Sequence, residues 1–415
     1  MPGEMAGSRA CVRAPALVLL GLGSLVGCLK SLDESLIPDS KEDASAGTGG
    51  VSGGGSGGDG GAGGGAGGSA GESGAGAGES GGSAGAEPDA GVEFTAYDSA
   101  KYPITEIQGA TPPVIVSADD TDIVWVTQGA VGLNAILGKQ PIVGGTSVGI
   151  TTATDLEKPQ ALHVRASFVF AAAGTAATSE GRLWRVHKDG AMAEIVDAPQ
   201  SIGLAVGIYA AEDNLVYVSA QAPTLGNAAI VRFAMSGANV AETLYATVGG
   251  NETGGEITVA GGCVYWIDRG HIWVIPTAPT TERTSALATD INDTVGLASD
   301  SNNLYFSRDN GEIWQRPLSP PACDGSGSPE RRVAWGFSGI GDIVVYDGTL
   351  AWTADNYAQA NSAGVFTTPI GGDVITQVAP GDSPPDRLVA APSGVDALVF
   401  STKTGRIRTV PKQPQ

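Results

Sequence analysis

The chain has 415 residues, 63 of them glycine, and its 44 acidic against 23 basic side chains give a formal charge of −21. Such a surface repels phosphate backbones and anionic headgroups, which argues against nucleic acid and against direct adhesion to an anionic bilayer. Aromatic residues make up 6% of the chain, a low share for a carbohydrate-binding surface.

The first residues read as an export signal. Arg9 and Arg13 precede an apolar stretch from Ala14 to Val26, too short to span a bilayer comfortably. Leu25-Val26-Gly27-Cys28 closes it. This run resembles the lipobox of bacterial lipoproteins. The resemblance implies a signal peptide over 1–27, with Cys28 as the lipid-bearing first residue of the mature chain. Leu29, in place of an aspartate, resembles the outer-membrane class of Gram-negative lipoproteins. The alternatives are an ordinary secretory signal cleaved nearby and an N-terminal anchor.

Residues 28–92 form the next region. From Asp43 to Gly91 nearly every residue is Gly, Ala, Ser or acidic. With almost no large apolar side chains, such a segment cannot offset the entropy of ordering, so a disordered acidic tether is predicted. Some 60 residues of this composition span about 40–45 Å root-mean-square.

Residues 93–415 are predicted to form a single all-β domain, a β-propeller of seven blades, with six or eight as alternatives. Seven times a hydrophobic triplet ends on an aromatic residue, is followed by a polar loop, and leads into a second hydrophobic stretch. The markers are Trp125, Phe170, Tyr217, Trp266, Phe306, Trp352 and Phe400, spaced 40 to 49 residues apart. That is the period of a four-stranded propeller blade. Period-two alternation marks the strands, Asp, Asn and Gly mark the turns, and no amphipathic helical period appears. The chain ends after the third strand of the seventh copy, while the segments Glu93–Tyr97 and Ile104–Ile107 are surplus at the start. An N-terminal strand is therefore expected to complete the last blade and close the ring. Removal of the signal and the lipidated cysteine would leave Cys263 and Cys323, an expected disulfide pair in an exported domain. The first begins the second strand of blade 4 and the second follows the third strand of blade 5. In a propeller those positions share one face.

The clearest copy is Val264-Tyr265-Trp266-Ile267-Asp268, then Gly270-His271-Ile272-Trp273 and Pro276. It resembles the YWTD-type propeller repeat and its bacterial YncE-like relatives. The resemblance implies a propeller, often one that binds proteins, in which the tyrosine and tryptophan pack between blades and the aspartate makes structural hydrogen bonds. The YWTD family has six blades, whereas this sequence shows seven repeats.

Chemistry is sparse. The innermost strands read as small and apolar, with only His163 and Arg165 standing out. Two apart on one strand, they point to one side as channel groups that could hold an anion, or simply face a water-filled hole. The three histidines lie in separate positions and suggest no metal site. Acid-rich turns such as Asp119-Asp120-Thr121-Asp122 fit local backbone bonding better than a calcium loop. No catalytic residue, metal or cofactor is expected. The predicted role is a lipid-anchored envelope protein whose propeller acts as a non-catalytic binding or scaffold module for a protein or envelope polymer. The alternative is a propeller-type lyase or hydrolase working at the channel or rim. The insertions Gln221–Ala229 and Asn356–Ala363, with Tyr357, mark the expected contact face.

Overall fold

The computed structural model describes residues 92–109, 114–127, 135–151, 158–174, 181–190, 193–196, 205–211, 214–221, 228–237, 240–247, 254–285, 294–318, 323, 329–381 and 384–415. The expected signal, Cys28 and nearly all of the tether lie outside them. Every regular element among the described residues is a strand.

Two short strands come first, β1 (Glu93–Thr95) and β2 (Thr105–Gly109). Blade 1 is β3 (Val114–Ala118), β4 (Asp122–Thr127), β5 (Ile136–Pro141) and β6 (Val148–Thr151). Blade 2 is β7 (Lys158–Arg165), β8 (Phe168–Gly174), β9 (Gly181–His187) and β10 (Ala193–Ile195). Blade 3 is β11 (Ala205–Ala210), β12 (Leu215–Gln221), β13 (Ala228–Ala234) and β14 (Glu242–Ala246). Blade 4 is β15 (Ile257–Ala260), β16 (Cys263–Asp268), β17 (His271–Pro276) and β18 (Thr284–Ser285). Blade 5 is β19 (Thr294–Ser299), β20 (Asn303–Arg308), β21 (Ile313–Pro317) and β22 (Arg331–Ala334). Blade 6 is β23 (Phe337–Tyr346), β24 (Thr349–Tyr357), β25 (Ser362–Pro369) and β26 (Val374–Pro380). Blade 7 is β27 (Pro385–Ala390), β28 (Leu398–Thr402) and β29 (Arg406–Val410), completed by β2.

The surplus N-terminal segment divides between two blades. β2 runs antiparallel to β29 and supplies the missing fourth strand of blade 7. β1 goes elsewhere: it lies parallel to β26 as a fifth, outermost strand of blade 6.

Alternation explains the stacking. Successive residues of a strand face opposite sides, so each blade offers one apolar set to the blade before it and another to the blade after. Tyr265 packs with Leu297, Leu304 and Phe306 of blade 5, while its neighbour Trp266 packs with Tyr217, Ile230 and Leu244 of blade 3. Seven hydrophobic clusters result, one at each joint between neighbouring blades. The closing joint joins Val116 and Trp125 of blade 1 to Val399 and Ile407 of blade 7. Asp268 ends the same repeat beside Arg283, at 3.5 Å.

Cys263 and Cys323 are joined by a disulfide with Cα atoms 5.6 Å apart, tying β16 to the loop after β21. Asp119 Oδ1 accepts the amides of Thr121 and Asp122, a closed backbone turn. Lys188 of blade 2 adds a cation to it, 2.6 Å from Asp119 and 2.9 Å from Asp122.

Tyr357 is not a contact residue. The expected loop begins too early, because β24 continues through a bulge past Ala354 to Tyr357 itself. The ring is 1% exposed, stacked on Phe337 at 4.2 Å and edge-on to Phe94 of β1 at 5.2 Å. Residues 222–227, the middle of the other expected contact insertion, lie outside the described residues.

Candidate functional site

The seven inner strands, β3, β7, β11, β15, β19, β23 and β27, surround a central channel. A cavity of about 170 Å³ lies at its waist and has lining residues from every blade. A wider cavity of about 660 Å³ opens toward the turns between first and second strands, where Asp119, Asp120 and Asp347 stand. His163 lines both and marks the threshold between them.

Arg165 also lines the wider cavity, so the two residues singled out by their spacing do meet there. Their settings differ. Burial pushes the His163 imidazole down to about 4, with the Arg165 charge adding to the effect, so it is neutral at physiological pH. Its ring lies 6.0 Å from that of Tyr209 in blade 3. Arg165 Nη1 donates to the carbonyl of Ala210 in blade 3 at 3.2 Å, which makes the guanidinium a tie between blades.

The strongest charges at the waist were not apparent from the sequence. They are Glu256, Asp342 and Arg387, each placed one residue before the apolar run of an inner strand. Leu297 N donates to Glu256 Oε2 at 2.7 Å, from blade 5 to blade 4. Leu388 N donates to Asp342 Oδ2 at 2.9 Å, and Arg387 Nη1 donates to Asp342 Oδ1 at 3.1 Å, from blade 7 to blade 6. Glu256 Oε1 lies 4.0 Å from Arg387. Burial raises the Glu256 carboxyl well above the usual carboxylate range, and the neighbouring Asp342 raises it further. The charges of Asp342, Glu256 and Asp386 act together on Arg387 and hold its guanidinium ionised.

Gly296 of blade 5 makes the arrangement possible. A side chain there would collide with the carbonyl of Gly341 and with Ser307 Oγ, both 2.8 Å from its Cβ position. Blades 5 and 6 therefore approach backbone to backbone. The same style of tie recurs around the ring. Ser117 Oγ accepts from Val164 N, Ser219 Oγ accepts from Gly255 N, and Ser401 Oγ donates to the Val114 carbonyl.

The opposite part of the wall mixes apolar residues with Gln160 and His163. Ile115, Leu162 and Ile208, from blades 1 to 3, also line the waist cavity. A visible signal for the charged side does exist: Gly255-Glu256-Ile257 and Gly341-Asp342-Ile343 repeat one pattern, with Asp386-Arg387-Leu388 as a variant.

No family model matches the chain, and no curated protein matches it in sequence. Solved structures share its architecture. The YCF48 protein bound to a D1 peptide superposes with a TM-score of 0.53 at 13% identity, covering 77% of this chain and 98% of that one. The WD40 propeller domain of Doa1 gives 0.53 at 10% identity, covering 75% and 98%. The propeller domain of the Trilobed protease from Pyrococcus furiosus gives 0.51 at 7% identity, covering 75% and 96%. At such identities the likeness is one of fold alone. The described residues form a seven-bladed β-propeller.

Proposed function

We propose that this chain is a lipid-anchored envelope protein whose propeller is a non-catalytic binding or scaffold module. Cys28 carries the lipid, residues 28–92 act as the tether, and the outer membrane of a Gram-negative bacterium is the location. The membrane is met through the lipid alone, and the partner is a protein or an envelope polymer. One observation carries the binding role: Arg165, Glu256 and Asp342, on or beside the inner strands, each tie one blade to the next. That makes the ring a stiff frame, as a module that presents loops requires. Peptide capture by the like-folded YCF48 accords with it.

The test has two arms. Metabolic palmitate labelling should mark the wild-type chain and not Cys28→Ala. Crosslinked pull-down from intact envelopes should recover one recurring partner. Absence of label would remove the anchor, and absence of a recurring partner would remove the module.

A second reading, a lyase or hydrolase at the channel, has its own support. Burial and the neighbouring Asp342 raise the Glu256 carboxyl well above the usual carboxylate range, and two carboxyls side by side can divide the acid and base roles. Turnover of an envelope-polymer fragment that disappears in Glu256→Gln would favour it.

A further inference from the structure

We infer that the waist of the channel is a binding site for a small aliphatic ammonium group, held by Glu256 and Asp342 with its carbon chain against the apolar residues opposite. The inference deepens the binding-module reading, on which it rests, by assigning a ligand class to the channel.

The charge balance is the first argument. Glu256 and Asp342 lie 4.0 Å and 3.1 Å from the single guanidinium of Arg387, and the Asp386 charge acts on it as well. Such a group is short of positive charge, and burial with the neighbouring Asp342 strengthens the hold of the Glu256 carboxyl on its proton. An incoming ammonium supplies the missing charge in the proton's place. The carboxylic acid releases one proton, the carboxylate pairs with the cation, and no bond to carbon changes.

The walls are the second argument. About 170 Å³ accommodates a group the size of a short alkyl chain, since engineered cavities of roughly 150 Å³ hold benzene. Ile115, Leu162 and Ile208 supply the apolar side that an alkyl chain needs and a bare metal ion does not. Among the described residues no three His, Cys, Asp or Glu side chains converge to hold a metal.

Titration calorimetry of the full chain with n-butylammonium tests the inference, with butyrate and 1-butanol as matched anionic and neutral probes. A short peptide amide containing one lysine distinguishes a side chain from a free amine as the source. The amine or the lysine peptide should bind one to one, butyrate and butanol should not, and buffers of different ionisation heat should reveal proton release. Affinity should fall as the pH is lowered, because protons then compete for Glu256. Glu256→Gln, which keeps an acceptor for Leu297 N, should weaken binding at least about tenfold. Equal binding of butyrate or butanol, unchanged affinity in Glu256→Gln, or no ammonium binding to the folded wild-type chain would overturn it. A failed titration leaves a partner found by pull-down standing, so the two readings fail separately.

Discussion

Blade 6 and blade 2 follow one plan and finish their outer edges in opposite ways. Blade 6 has strands of 10, 9, 8 and 7 residues from axis to rim, and β1 covers its last edge. Its interior is a packed set of rings: Phe337 lies 5.2 Å from both Trp352 and Phe366, and Tyr357 seals the set against Phe94. Blade 2 ends in β10, only three residues long, with Ile195 44% exposed. Charge guards that edge. Glu194 of β10 lies 2.6 Å from the buried Arg185, and Lys188, in the turn before β10, grips Asp119 and Asp122 of blade 1. A bare sheet edge invites another strand, and both a covering strand and a short charged edge prevent it. Rings and an added strand do the work at one end, ion pairs at the other.

Trp352→Ala attacks the aromatic solution directly and should cost about 3–5 kcal/mol in denaturant unfolding, as deletion of a fully buried ring does. The disulfide between blades 4 and 5 is a third kind of tie. Replacing both Cys263 and Cys323 by Ser should lower stability by about 4 kcal/mol on the chain-entropy view, given a separation of 60 residues. Lys188→Met attacks the ionic solution and should cost about 3 kcal/mol, because Asp119 stays buried without its cation.

That ionic tie also has a pH signature. Burial alone would raise the Asp122 carboxyl, but hydrogen bonds from Lys188 and Thr121 hold it below its ordinary value. Burial would lower Lys188, yet its two aspartates raise it. The contribution is thus complete between the ordinary carboxylate and lysine values. It is lost as pH falls through the depressed Asp122 pKa or climbs through the raised Lys188 pKa. Thermal melts across acid pH should show Lys188→Met losing less than the wild type, while Trp352→Ala keeps the wild-type slope.

Glu256 gives an effect of opposite sign. Its folded-state pKa is raised, so the folded chain holds an extra proton between the ordinary carboxylate value and the raised one. Stability from this group declines as pH rises through that window. Glu256→Gln should flatten the decline and melt higher than wild type above it. Ile195→Ala, at the exposed edge of blade 2, should stay within about 0.5 kcal/mol in the same melts.

These contrasts follow how far a pattern of residues can be trusted. The blades were legible because each marker aromatic sits on a second strand, buried on both faces, where alternation and apolar character reinforce each other. Closure was legible from a simple shortage, one strand missing at the end and one extra at the start. The fifth strand of blade 6 was not, since Glu93-Phe94-Thr95 is too short to name its partner. Glu256, Asp342 and Arg387 escaped because each sits just before a recognisable apolar run. In blades 6 and 7 a bulge also breaks the alternation there, between Ile340 and Ile343 and between Pro385 and Leu388. Tyr357 was misjudged for the same reason: the bulge after Ala354 hides the continuation of β24, and a core ring looks like a loop tip.

The division of labour between β1 and β2 bears on mechanical load. Tension arriving along the chain ahead of Val92 reaches β1 first, and β1 holds blade 6 by three residue pairs. Once those peel away, the segment before β2 is still held, by the Gln415 amide on the Lys101 carbonyl and by Tyr102 and Ile104 packed at the joint of blades 6 and 7. Only when these holds also give does the pull fall on β2. The strap at the rim is a fuse: it yields before the ring can be unzipped.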